Sequence, residues 1–106
     1  MAFDPRVAAR IRSALEGVPG LREAVMFGGA SFLVNDTLIA TAPSAGDLMV
    51  RVDPDQTEAL LQQEGVERPT MGKRTMSRGW LIVRGAADLP EDEFGSWIDR
   101  ALAAAG

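Results

Sequence analysis

Hydrophobic and polar positions follow two periods along the chain, and each change of period marks an element. Val7, Ile11, Ala14 and Leu15 recur at the spacing of one helix face, with Asp4 as N-cap, Pro5 at the first helical position and Gly17 as the stop. A second helix is predicted after Asp53 and Pro54, with Gln56 three residues beyond the cap, Ala59, Leu60 and Leu61 as its apolar positions and Gly65 as terminator. A third begins near residues 88–91, where Asp88 and Glu91 suit a capping box and Phe94, Trp97, Ile98, Ala101 and Leu102 form one stripe. Glu91, Asp92 and Glu93 fall in its first turn, where the helix dipole favours carboxylates.

Between these helices the period shortens to two. Residues 24–27 and 31–34 are short apolar runs joined by Gly28 and Gly29, and Asn35-Asp36 reads as a tight hairpin turn into residues 37–42. Residues 47–52 alternate, with Leu48, Val50 and Val52 on one face and Met49 and Arg51 on the other. Residues 79–84, containing Trp80, Leu81, Ile82 and Val83, are apolar on both faces, as a strand placed centrally would be. Residues 68–78 read as a loop. The order α-β-β-β-β-α-β-α lacks the regular alternation of a doubly wound parallel fold. It predicts an α+β domain of two layers, a mainly antiparallel sheet of about five strands with three helices.

Composition then narrows the chemistry. One hundred and six residues make a single domain spanning 1–106, and 46% apolar with 25% charged residues is a globular composition. The chain has no cysteine and no histidine, which excludes disulfides, thiolate nucleophiles, histidine-based triads and His- or Cys-ligated metal sites. Each carboxylate cluster is accounted for by a helix start, and the single lysine, Lys73, lies in a loop, so catalysis is not expected and no cofactor or metal is implied. No signal segment opens the sequence and no apolar run is long enough to span a membrane, so a cytoplasmic protein without membrane contact is expected. A net charge of -4 disfavours a general nucleic-acid binder.

Two sites remain. The segment with Lys73, Arg74, Arg78 and Trp80 joins cations to an aromatic ring, a combination suited to an anionic small molecule, a peptide or nucleic acid; equally, it reads as a solvated loop that offsets the acidic remainder. Gly28 and Gly29 would let backbone N–H groups approach an anion, or simply bend one strand into the next. An interface is also expected. If the helices cover Leu38, Ala40, Leu48, Val50 and Val52, the second sheet face carries Ile39 and Met49, and that face or an unpaired sheet edge would meet another protein, most simply a second copy.

The residues Val25, Met26, Phe27, Gly28 and Gly29, with Phe32, Leu33, Val34 and Asn35, the strand at 46–52, the segment 71–80 and Trp97, form a pattern that resembles the TfoX N-terminal domain family across nearly the whole chain. The resemblance implies a small α+β domain of regulatory or interaction character. In the proteins for which the family is named, a C-terminal helical domain follows and the protein takes part in regulating natural competence. This sequence is expected to be the N-terminal type of domain standing alone, so the competence role is not carried over. The favoured expectation is a non-catalytic regulatory or adaptor domain working through protein contacts; the alternative is a small-anion or nucleic-acid binding module using the basic segment at 68–84.

Overall fold

The structure, a computed structural model, describes residues 5–26, 29–42, 46–71, 74, 75 and 79–105. Helix α1 covers Pro5–Ala14, and strands β1 (Leu21–Met26), β2 (Gly29–Val34), β3 (Thr37–Ala42) and β4 (Leu48–Arg51) follow. A 3-10 turn at Pro54–Gln56 runs into the short α2, Thr57–Leu60. Then come β5 (Val66–Glu67), β6 (Thr70–Met71), β7 (Arg74–Thr75), β8 (Trp80–Val83) and α3 (Glu91–Ala105). Among the described residues the main sheet is antiparallel with the order β1-β2-β3-β4-β8-β5, and β6 pairs with β7 in a separate hairpin. The expected α+β architecture with three helices holds. The sheet has six strands rather than about five because β5, only two residues long, is too short to leave a periodic signal.

The expected β2–β3 hairpin forms at its predicted place. Asn35 and Asp36 both adopt positive φ, 52° and 66°, the geometry of the two-residue turn whose twist matches the flanking strands. Val34 therefore faces Thr37 at the turn. Two expectations need correction. Asp88 does not cap α3: it lies in a 3-10 turn at Ala86–Asp88, the helix begins at Glu91 after Pro90, and the first helical bond runs from the Phe94 N–H to the Pro90 carbonyl. The segment expected as a loop at 68–78 contains the β6–β7 pairing.

The helices cover one face of the sheet. Val7 and Ile11 from α1, Leu15 just after it, and Phe94, Trp97, Ile98 and Ala101 from α3 join Phe32, Ala40, Leu48, Val50, Leu81 and Val83 in one core. Ile39 belongs to that core as well, and this overturns its expected place on the second face. The β2–β3 register pairs Phe32 with Ala40 and Leu33 with Leu38, so Ile39 is an extra residue in β3 and stands with Ala40 opposite Phe32. This bulge breaks the alternation that placed Leu38 inside and Ile39 outside. Ile39 is fully buried, whereas Leu38 is half-buried.

The bulge also re-aims a carbonyl. The β3–β4 ladder runs through Thr41↔Met49 to Ala40↔Val50 and stops there. The Leu38 carbonyl beyond it accepts a hydrogen bond from Arg51 Nε at 2.9 Å, and the Arg51 guanidinium lies 4.8 Å over the Trp80 ring, its cross-strand neighbour. On the same side of the sheet, Ser31 and Thr41 share a hydroxyl hydrogen bond of 3.2 Å, and both are fully buried.

Candidate functional site

Of the residues singled out from the sequence, Gly29 and Trp80 lie apart in the sheet. Gly29 opens β2 opposite Met26, and Trp80 opens β8 opposite Arg51. Strands β3 and β4 separate β2 from β8, and three inter-strand steps span about 14 Å. The register also sets Gly29 at one end of the sheet and Trp80 at the other, so the glycine pair and the tryptophan do not share a site. Arg74 lies in β7, paired with Met71. Gly28, Lys73 and Arg78 lie outside the described residues.

Two of the five cations in the basic segment are engaged with the chain itself. Arg68 pairs with Glu58. Arg84 reaches Asp47 at 2.7 Å and Glu67 at 3.2 Å, while the other Asp47 oxygen accepts the Gly85 N–H at 3.2 Å. These contacts tie the ends of β4, β5 and β8 together, and the two carboxylates raise the Arg84 pKa above its already high value. The positive charge of 68–84 is thus partly consumed in holding the sheet.

Met49 and Ile39 do not supply the exposed apolar face expected of them. Met49 retains 8% of its surface and Ile39 none. The apolar surface lies elsewhere. Val25, 76% exposed, is the large hydrophobic side chain left in solvent among the described residues, and it sits on β1 at the edge of the sheet.

The edge itself has a definite chemistry. Among the described residues β1 pairs with β2 alone. The Asn35 N–H donates to the Gly20 carbonyl at 3.0 Å, and the register continues Leu21↔Val34 and Arg22↔Leu33. Hydrogen-bonded and non-bonded pairs alternate in an antiparallel ladder, so Arg22, Ala24 and Met26 direct their backbone groups to β2. Leu21, Glu23 and Val25 direct theirs outward. The two charges of the strand are turned back onto the same chain: Arg22 lies 3.3 Å from Asp36, and Arg12 of α1 grips Glu23 through two bonds of 2.9 and 2.7 Å. The Arg12 hydrogen bonds hold the Glu23 carboxyl below its ordinary pKa, against a smaller opposing effect of burial. The sequence reading began this strand at residue 24 and so passed over Leu21 and Glu23; their alternation with Val25 beyond Gly20 was the available signal.

The remaining concavities are open grooves beside the helices. One of about 490 Å³ lies between α1 and α3 and is lined by Arg10, Ser13, Glu91, Phe94, Gly95 and Asp99. Arg10 is committed there, stacking 4.6 Å over Phe94 and donating to the Ala86 carbonyl at 2.9 Å. Among the described residues no group of acidic side chains is arranged to hold a metal ion, and no helix is long and apolar enough to cross a membrane. The arrangement offers a strand edge and shallow grooves, which suit binding.

No curated protein matches the chain. The family model described as the TfoX N-terminal domain matches residues 13–105, from the last two residues of α1 to the end of α3. With the matched span taking in every strand of the sheet and nearly all of the chain, this protein belongs to the TfoX N-terminal domain family.

Proposed function

We propose that this domain is a non-catalytic regulatory or adaptor module of the cytoplasm that acts by binding other protein chains. The observation that carries the reading is the outer edge of β1, where a row of outward backbone groups runs beside the exposed Val25. An extended segment of a partner adds to such an edge through main-chain hydrogen bonds, and the flanking side chains supply selectivity. The second edge of the sheet, β5, is two residues long and offers far less.

The test uses Val25→Pro. The Val25 N–H points away from β2, so proline removes an edge donor without removing a ladder bond, and edge positions tolerate it. Proteins captured from lysate by the wild type are expected to be absent from the capture by the folded variant. The same set of proteins captured by both would overturn the reading. The other reading, a small-anion or nucleic-acid module, draws on the basic segment at 68–84. With Arg68 and Arg84 paired internally, Lys73, Arg74 and Arg78 would have to carry it. Oligonucleotide binding that falls steeply with salt and is lost on Lys73→Ala would move the assignment there.

A further inference from the structure

We infer that β1 pairs antiparallel with β1 of a second copy of this chain, joining two sheets into one across a two-fold axis at Glu23. The inference rests on the reading that the domain works through protein contacts at this edge, and it names the partner and the register. Three observations lead there.

First, the pairing must match outward residues with outward residues, and only Leu21, Glu23 and Val25 qualify. Two copies related by a two-fold axis perpendicular to the sheet keep their helical layers on the same side, and the residues that oppose one another are then both odd-numbered or both even-numbered. Centring on Glu23 sets Leu21 opposite Val25 of the second copy, Glu23 opposite Glu23, and Val25 opposite Leu21. All three outward residues of each strand find a partner. Centring on Ala24 leaves Leu21 unused.

Second, this register covers the exposed apolar group. Val25 is 76% exposed and Leu21 is half-buried on the same face of the sheet, so each valine would pack against the leucine of the other copy. Self-complementarity of this kind is what an isologous interface requires.

Third, the like charges at the axis are already compensated. Two glutamates directly opposite would repel, but each is held bidentately by its own Arg12, so the axis would carry a charge-balanced Arg–Glu–Glu–Arg row. The Arg12–Glu23 pair thereby acquires a role beyond fastening α1 to β1. The strand also lacks the usual protections of an edge: it contains no proline, its ladder with β2 is unbroken, and neither of its charges is free.

Light scattering across a range from low to high micromolar is expected to give a mass rising toward twice that of the chain. Arg12→Ala should weaken association roughly tenfold, and Val25→Pro should weaken it further, both with unchanged circular dichroism. The register has its own readout because the chain has no native cysteine. Mixing Leu21→Cys with Val25→Cys under mild oxidation should give a disulfide-joined pair. Ala24→Cys should not join to itself, and efficient joining there in place of the mixed pair overturns the register. A wild type that stays monomeric at high micromolar overturns the self-pairing. If Val25→Pro then still loses its captured partners, only the identity of the partner falls; if it keeps them, the edge reading falls too.

Discussion

At the scale of single residues, one buried hydroxyl joins two elements by giving one hydrogen bond and taking another. Thr57 is fully buried; its hydroxyl donates to the Asp53 carbonyl at 3.3 Å and accepts from the Gly79 N–H at 3.1 Å. The Gly79 carbonyl in turn accepts from the Val52 N–H at 2.8 Å, so this one side chain ties the start of β8 to the turn that opens α2. Gly79 itself has φ of 103°, a conformation that side chains rarely adopt, and it cannot be replaced to repair a lost bond. Thr57→Val keeps the shape but orphans the buried Gly79 N–H. The expected cost is about 1–3 kcal/mol in urea unfolding, with Thr57→Ser retaining most of the stability and Gly79 amide exchange accelerating in the valine variant alone. Equal losses in both variants would mean that the methyl group, and not the hydrogen bond, is what the site needs.

At the scale of elements, the regular parts were legible and the irregular parts were not. Helix α1, the 35–36 turn and β3 follow directly from period, cap and turn chemistry, since each of those signals acts within a few residues. The bulge at Ile39 depends on how β3 meets β2, a nonlocal fact, and a period-two reading that is right at Ala40 and Thr41 misplaces Leu38 and Ile39. That is why Ile39 read as an interface residue; Met49 keeps its expected face but is buried there, and the unpaired sheet edge expected in general terms is identified as β1 only by the strand order. Gly95 shows the same limit in a helix. A glycine inside a helix costs about 1 kcal/mol relative to alanine and often marks a close approach. In α3 it meets nothing within 4 Å of where a Cβ would stand, and it faces the open groove beside α1. Gly95→Ala is therefore expected to raise stability by about 0.5–1 kcal/mol, read as a higher denaturation midpoint with an unchanged slope. A loss of stability would instead reveal a close approach at that groove.

At the scale of the whole molecule, stability and the proposed contact lie in different parts of the sheet. Helix α3 packs on β3 and β4, the middle of the sheet, whereas β1 is the outermost strand and meets the helical side through Leu21, packed against the core, and the Arg12–Glu23 pair. Trp97, 2% exposed, is the largest side chain that α3 places in the core, with the Arg100 guanidinium 4.9 Å over its ring. Removing it should cost about 3–5 kcal/mol, a large share of the roughly 5–15 kcal/mol that a domain of this size possesses. Trp97→Ala should therefore lower the urea midpoint sharply and leave part of the population unfolded at 37 °C, while Arg100→Ala, which removes a rim cation, should cost only about 1 kcal/mol or less. Val25→Pro touches neither the core nor the β1–β2 ladder, so its midpoint should stay near that of the wild type. The contrast separates two explanations for any loss of binding: a variant that fails because the fold is gone must also lose its cooperative unfolding transition. One that fails because the edge is blocked keeps that transition intact.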